Sequence, residues 1–130
     1  MPMADVRIER EDQTVVAVLK GEVDMSNAAS VRLQIAESVT PDDDALLVDL
    51  SELSFIDSAG LHALVELGTV LEERRQQFLL CVSHGSQIER AIEIIGLPRA
   101  VSVHADRREA LDTARASAME ARPIPPTEGS

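Results

Sequence analysis

Apolar and polar positions change period several times along the chain, and each change marks an element. Val6 and Ile8 alternate with charged residues, and after Asp12-Gln13 the run Thr14-Val15-Val16-Ala17-Val18-Leu19 is apolar on both faces. A half-polar segment followed by a fully apolar one predicts an antiparallel hairpin with an outer first strand and an inner second strand. Beyond Ser26, the residues Ala28, Ala29, Val31, Leu33, Ile35, Ala36 and Val39 cover a broad arc of a helix that Thr40-Pro41-Asp42-Asp43-Asp44 ends. Ala45 to Leu50 then reads as a third strand. The apolar spacing restarts with helical period at Ser58 and runs to about Arg75, with Leu61, Leu64, Gly68 and Leu71 on one side and His62, Glu66, Thr69 and Glu73 on the other.

Phe78 to Val82 is a fourth buried-strand pattern, and Ser86-Gln87-Ile88-Glu89 has the form of a capping box opening a helix striped by Ile88, Ala91, Ile92 and Ile95. Gly96 and Pro98 end that helix. Val101 and Val103 predict a short outer strand, and Asp106-Arg107-Arg108-Glu109 opens a last helix carrying Ala110, Leu111, Ala114 and Ala118. Strands alternating with helices after an initial hairpin predict an α/β domain with a mixed sheet, parallel central strands and right-handed crossovers. One domain over residues 1–119 is expected. The proline-rich segment 120–130 has little to bury and is expected to form a flexible C-terminal tail.

The Asp57-Ser58 pair stands where a strand feeds a turn and then a helix. A helix N-terminus offers unpaired N–H groups and the positive end of the macrodipole, so a phosphate on Ser58 would be stabilised there. Asp57 or Ser58 serving only as an N-cap accounts for the same residues. His62 lies one turn further on. Gly60 admits two roles, close approach of a partner or close packing of helix on sheet.

Composition narrows the chemistry. There is no Trp or Tyr and only two Phe, so the core must be aliphatic and base stacking is not expected. A formal net charge of −11 disfavours nucleic acid and anionic membranes and suits a basic protein partner. No long apolar run or basic-then-apolar leader is seen, so neither membrane insertion nor export is expected and a cytoplasmic location is. Cys81, the only cysteine, sits in a buried-strand pattern and is read as a small hydrophobe. Ser58 lacks the first glycine of a nucleophile elbow, His62, His84 and His104 lack metal-ligand spacing, and no glycine-rich phosphate loop is present. An acyl-carrier protein also bears a modified Asp-Ser serine, but it is a helical bundle with Leu after the Ser, where this chain has Ala59 and several strands.

Asp49-Leu50-Ser51 followed by Phe55-Ile56-Asp57-Ser58-Ala59-Gly60-Leu61 resembles the signature of the STAS domain of bacterial anti-sigma-factor antagonists. Upstream, Lys20-Gly21-Glu22-Val23-Asp24 resembles the family's Gly-Glu-(apolar)-Asp motif, in the family's order. The resemblance covers about Val6 to Met119 and implies the STAS fold, a sheet of four or five strands flanked by about four helices. It implies an anti-sigma-factor antagonist in a partner-switching pathway, a substrate and switch rather than an enzyme, with no cofactor. In the family the Ser of Asp-Ser-(small)-Gly is phosphorylated by a partner that is both serine kinase and anti-sigma factor; that residue here is Ser58, and a separate phosphatase would reset it. Many relatives carry Ser or Thr where this chain has Ala59. The implied partner surface comprises Glu22, Asp24, Ser26, Asn27, Asp57, Ser58, Ala59, Gly60, Leu61 and His62. The alternative role within the family is a scaffold or transporter-complex subunit that does not regulate a sigma factor directly.

Overall fold

The hairpin expected at the start of the chain is present. In a computed structural model, which describes residues 3–97 and 101–121, β1 (Ala4–Glu11) pairs antiparallel with β2 (Thr14–Val23). β2 pairs in parallel with β3 (Ala45–Ile56), β3 with β4 (Gln77–Cys81), and β4 with β5 (Val101–His104), so the five strands of the mixed sheet lie in chain order. Three crossovers of one hand stepping in one direction across a sheet stack on one face. The helices that make them, α1 (Ala28–Ser38), α2 (Ser58–Glu73) and α3 (Gln87–Ile95), pack together against one apolar layer. The remaining helix, α4 (Arg107–Ala121), follows the last strand and covers the other face.

Two cores result, which is why β2 and β3 are apolar at consecutive positions. Val15, Ala17 and Leu19 with Leu46, Val48 and Leu50 meet Val31 and Ile35 of α1, Leu64, Leu67 and Leu71 of α2, and Ile88 and Ile92 of α3. On the reverse side Val16, Val18, Leu47, Leu79 and Cys81 lie under Ala110 and Ala114. Burial, with Asp49 nearby, pushes the Cys81 thiol up to about 11, so it stays protonated and packs as a small hydrophobe.

β3 differs from its expected end at Leu50: it continues to Ile56, paired with the Lys20–Val23 end of β2. The ladder shifts register twice, between Val18 and Lys20 and between Gly21 and Glu22, and both times the extra residue is on β3. Each bulge lengthens the inward spacing from two residues to three, so Leu50, Leu53 and Ile56 all reach the same core while the apolar alternation is lost. Gly21 allows this crowding. Its φ is +99°, and a Cβ there would stand 2.2 Å from the Met3 carbonyl oxygen, which accepts the Glu22 N–H at 2.9 Å. At the other end of the chain α4 runs to Ala121, so residues 120 and 121, expected in the 120–130 tail, are helical instead; Pro98 and residues 122 to 130 of the expected tail lie outside the described residues.

Two buried carboxylates fasten the periphery to the sheet. Asp49 Oδ2 takes Arg107 Nη2 at 3.1 Å, Arg107 Nη1 reaches Glu9 at 3.0 Å, and the Ser51 N–H and hydroxyl donate to Asp49 Oδ1, so α4 is tied to β3 and β1 together. Asp43, below the sheet's opposite end, is paired with Arg10 and accepts the N–H of Thr40 at 2.7 Å and its hydroxyl at 3.0 Å. Burial raises both carboxyls, but Ser51 and Arg107 at Asp49, and Arg10 and Thr40 at Asp43, outweigh it, and both end below the ordinary carboxylate range.

A carboxyl lowered in the native state adds stability that is present above its unfolded value, about 4, and is lost as pH falls through the lowered native value. Arg107→Met strands Asp49 with Ser51 alone; it is expected to cost about 1–3 kcal/mol at neutral pH and to move the acid-unfolding midpoint upward. Acid titration followed by circular dichroism checks this, and an unmoved midpoint would contradict it.

Candidate functional site

Because β2 and β3 are parallel and Val23 is paired with Ile56, the turns that follow them emerge side by side. The turn after β2 is knitted by its own polar residues. Asp24 Oδ1 accepts the Ser26 N–H at 2.8 Å and the Ser26 hydroxyl at 2.6 Å, while Asn27 accepts the Asp24 N–H at 2.9 Å and donates to the Glu22 carbonyl at 3.0 Å. The Ser26 hydroxyl, then its N–H, hold the Asp24 carboxyl below its ordinary value. Asn27 precedes α1 without capping it, since its side chain is spent on the turn.

Asp57 joins the two turns. Its N–H donates to the Val23 carbonyl at 3.2 Å; its Oδ1 caps α2 by accepting the Gly60 N–H at 3.0 Å; its Oδ2 accepts the Met25 N–H at 3.2 Å. With Asp57 as the N-cap, Ser58 is the first residue of α2. It is exposed, and its hydroxyl has no partner among the described residues. The hydroxyl stands at a helix end whose dipole favours an anion.

All ten residues expected at the site lie on these two adjoining segments. Glu22, Ser26, Ser58 and His62 are exposed, and Asp24, Asn27, Asp57, Ala59 and Leu61 are partly covered, Ala59 and Leu61 leaning on the core. Gly60 is buried. A Cβ there would come within 2.5 Å of Ile56 Cγ1 and 3.0 Å of Val23 Cγ1, so this glycine lets α2 lie on the sheet and offers little surface of its own. His62 Nδ1 lies 3.2 Å from Glu66 Oε1, and Glu66 Oε2 lies 3.2 Å from Arg32 Nε, which ties α1 to α2 beside the site. Among the described residues no cation pairs with Glu22, Asp24 or Asp57. Two residues absent from the expected set border it: Met25, 83% exposed at the turn, and Phe55, 47% exposed near the end of β3. Phe55 lies beyond the expected end of the third strand, so only the fold identifies it as strand surface.

No helix among the described residues is long and apolar enough to cross a membrane, and no cluster of His, Cys, Asp and Glu among them could hold a metal ion. The STAS domain matches residues 5–110 of the chain. The anti-sigma-F factor antagonist RsfB of Mycobacterium tuberculosis is 30% identical over 111 residues, covering 84% of this chain and 89% of that protein. Among solved structures, an anti-sigma factor antagonist from Mycobacterium paratuberculosis superposes with a TM-score of 0.77 at 26% identity, over 87% of this chain and 95% of that one. Bacillus SpoIIAA in its phosphorylated form shares the fold, with a TM-score of 0.65 at 24% identity over 85% of this chain and 100% of that one.

Gly60→Ala is expected to force α2 away from Ile56 and Val23 and to lower stability by about 1–3 kcal/mol, the usual cost of overpacking. Urea denaturation measures it; wild-type stability would show that the contact relaxes freely.

Proposed function

The chain belongs to the STAS domain family, and from that membership we propose that it is an anti-sigma-factor antagonist in a cytoplasmic partner-switching pathway. The observation that carries this reading is the exposed, unpartnered Ser58 hydroxyl at the first position of α2, beside Asp57 and the Asp24 turn. Unphosphorylated, the surface around Ser58 binds an anti-sigma-factor serine kinase and competes with its sigma factor. The kinase transfers the γ-phosphoryl group of ATP to Ser58 Oγ, whose proton passes to a base on the kinase, and ADP leaves. A phosphatase returns the hydroxyl by hydrolysis.

Charge makes the transfer a switch. Phosphoserine adds roughly −1.5 to −2 charges at neutral pH. Here it adds them next to three carboxylates that have no cation partner among the described residues, so a complex whose kinase surface is matched to the unmodified acids gains repulsion and unpaired desolvated charge. Tenfold weaker binding needs only about 1.4 kcal/mol, well within reach of such local effects without refolding. The serine stands on a capped helix and a doubly tethered turn, which suits a rigid surface read by a partner.

The test begins with immobilised Ser58→Ala protein, used to isolate an ATP-dependent serine kinase from extracts of the native host, followed by titration of the purified kinase. Ser58→Ala is expected to bind as the unmodified chain does, and Ser58→Asp at least tenfold more weakly. Equal affinities would contradict the switch and favour a scaffold or transporter-associated role.

A further inference from the structure

We propose that Met25 and Phe55 are the apolar anchors of the partner complex, set inside an acidic rim, and that the partner meets them with an apolar pocket bordered by Arg or Lys. The inference rests on the partner-switching reading and identifies where the affinity, as opposed to its regulation, comes from. Met25 and Phe55 belong to the two segments that Asp57 ties together. Asp57 Oδ2 holds the Met25 N–H at 3.2 Å, and Phe55 is paired in the β2–β3 ladder with Glu22, which opens the Met25 turn. Met25 is 83% exposed and Phe55 47%.

Their backbones are fixed before any partner arrives. The Met25 turn is held by Asp24, Asn27 and Asp57, and Phe55 lies within a strand, so binding has little loop order to create. Large apolar side chains on rigid elements, ringed by polar groups that exclude water, are the usual carriers of interface affinity. Glu22 is paired with Phe55, Asp24 directly precedes Met25 and Asp57 holds the Met25 N–H, and the charge of these three acids specifies a basic border on the other side. Phosphorylation then acts on the rim and leaves the anchors untouched. The two contributions should therefore multiply: loss of an anchor weakens binding by the same factor whether or not position 58 is charged.

Met119 provides a matched control. It is 69% exposed on α4 and borders a cavity of about 510 Å³ with Asp12 and Gln13 of the β1–β2 turn, at the end of the sheet away from Val23 and Ser58. The kinase isolated on Ser58→Ala protein is titrated with Met25→Ala, Phe55→Ala and Met119→Ala, each built with Ser58→Ala and with Ser58→Asp, after thermal melts show an intact fold; Phe55→Leu substitutes if Phe55→Ala melts early. The expected result is a loss of tenfold or more for the Met25 and Phe55 variants in both backgrounds, none for Met119→Ala, and an unchanged ratio between backgrounds. Affinities within twofold of the parent for Met25→Ala and the Phe55 variant would overturn the anchors even if Ser58→Asp binds poorly. If instead the two Ser58 backgrounds bind alike while Met25→Ala is weakened, the anchors stand and the switch fails.

Discussion

The parallel pairing of β2 with β3, carried past the end of every other strand to Val23 and Ile56, is what the rest of the site depends on. Parallel strands send their following turns to the same end, and this ladder brings them within reach of one carboxylate. Asp57 then uses one oxygen to cap α2 and the other to hold the Met25 turn, while its own N–H returns to Val23. The bulges on β3 and the positive φ of Gly21 make the extension possible, and Gly60 lets α2 start close enough to the sheet to share Asp57 with it.

Carboxylates serve in two different ways. Asp49 and Asp43 are buried, matched with Arg107 and Arg10 and further donors, and serve cohesion. Glu22, Asp24 and Asp57 sit at or near the surface; Asp24 and Asp57 take hydrogen-bond donors from the turns, and none of the three has an ion-pair partner among the described residues. A carboxylate satisfied by N–H groups is positioned yet keeps its charge unneutralised, which leaves it able to attract a basic surface or to repel a phosphate. Under the function proposed, that difference separates the groups that hold the fold from those that regulate its partner.

Much of this was legible in the chain as changes of apolar period. The hairpin, the helices and the Asp57-Ser58 turn all fall where alternation gives way to helical spacing or the reverse. The second half of β3 was not legible, because two bulges convert an inward spacing of two into three and Leu50, Leu53 and Ile56 no longer look like a strand. Asp49 and Asp43 were also opaque as buried groups. An Asp beside apolar residues reveals its burial only when its cation is known, and Arg107 is 58 residues away from Asp49. Ser58 could be placed at a helix start from local pattern, whereas the bond from Met25 to Asp57 follows from β2–β3 register, which no local pattern encodes. For Gly60 the chain left two roles open, and the positions of Ile56 and Val23 require the packing one.

The most direct measurement is intact-mass analysis with peptide mapping of the chain incubated with ATP and the kinase from its native host, with Ser58→Ala in parallel. A single phosphate mapping to Ser58, absent from the variant, is the result the partner-switching account predicts. No phosphate, or a phosphate that persists in Ser58→Ala, would contradict it.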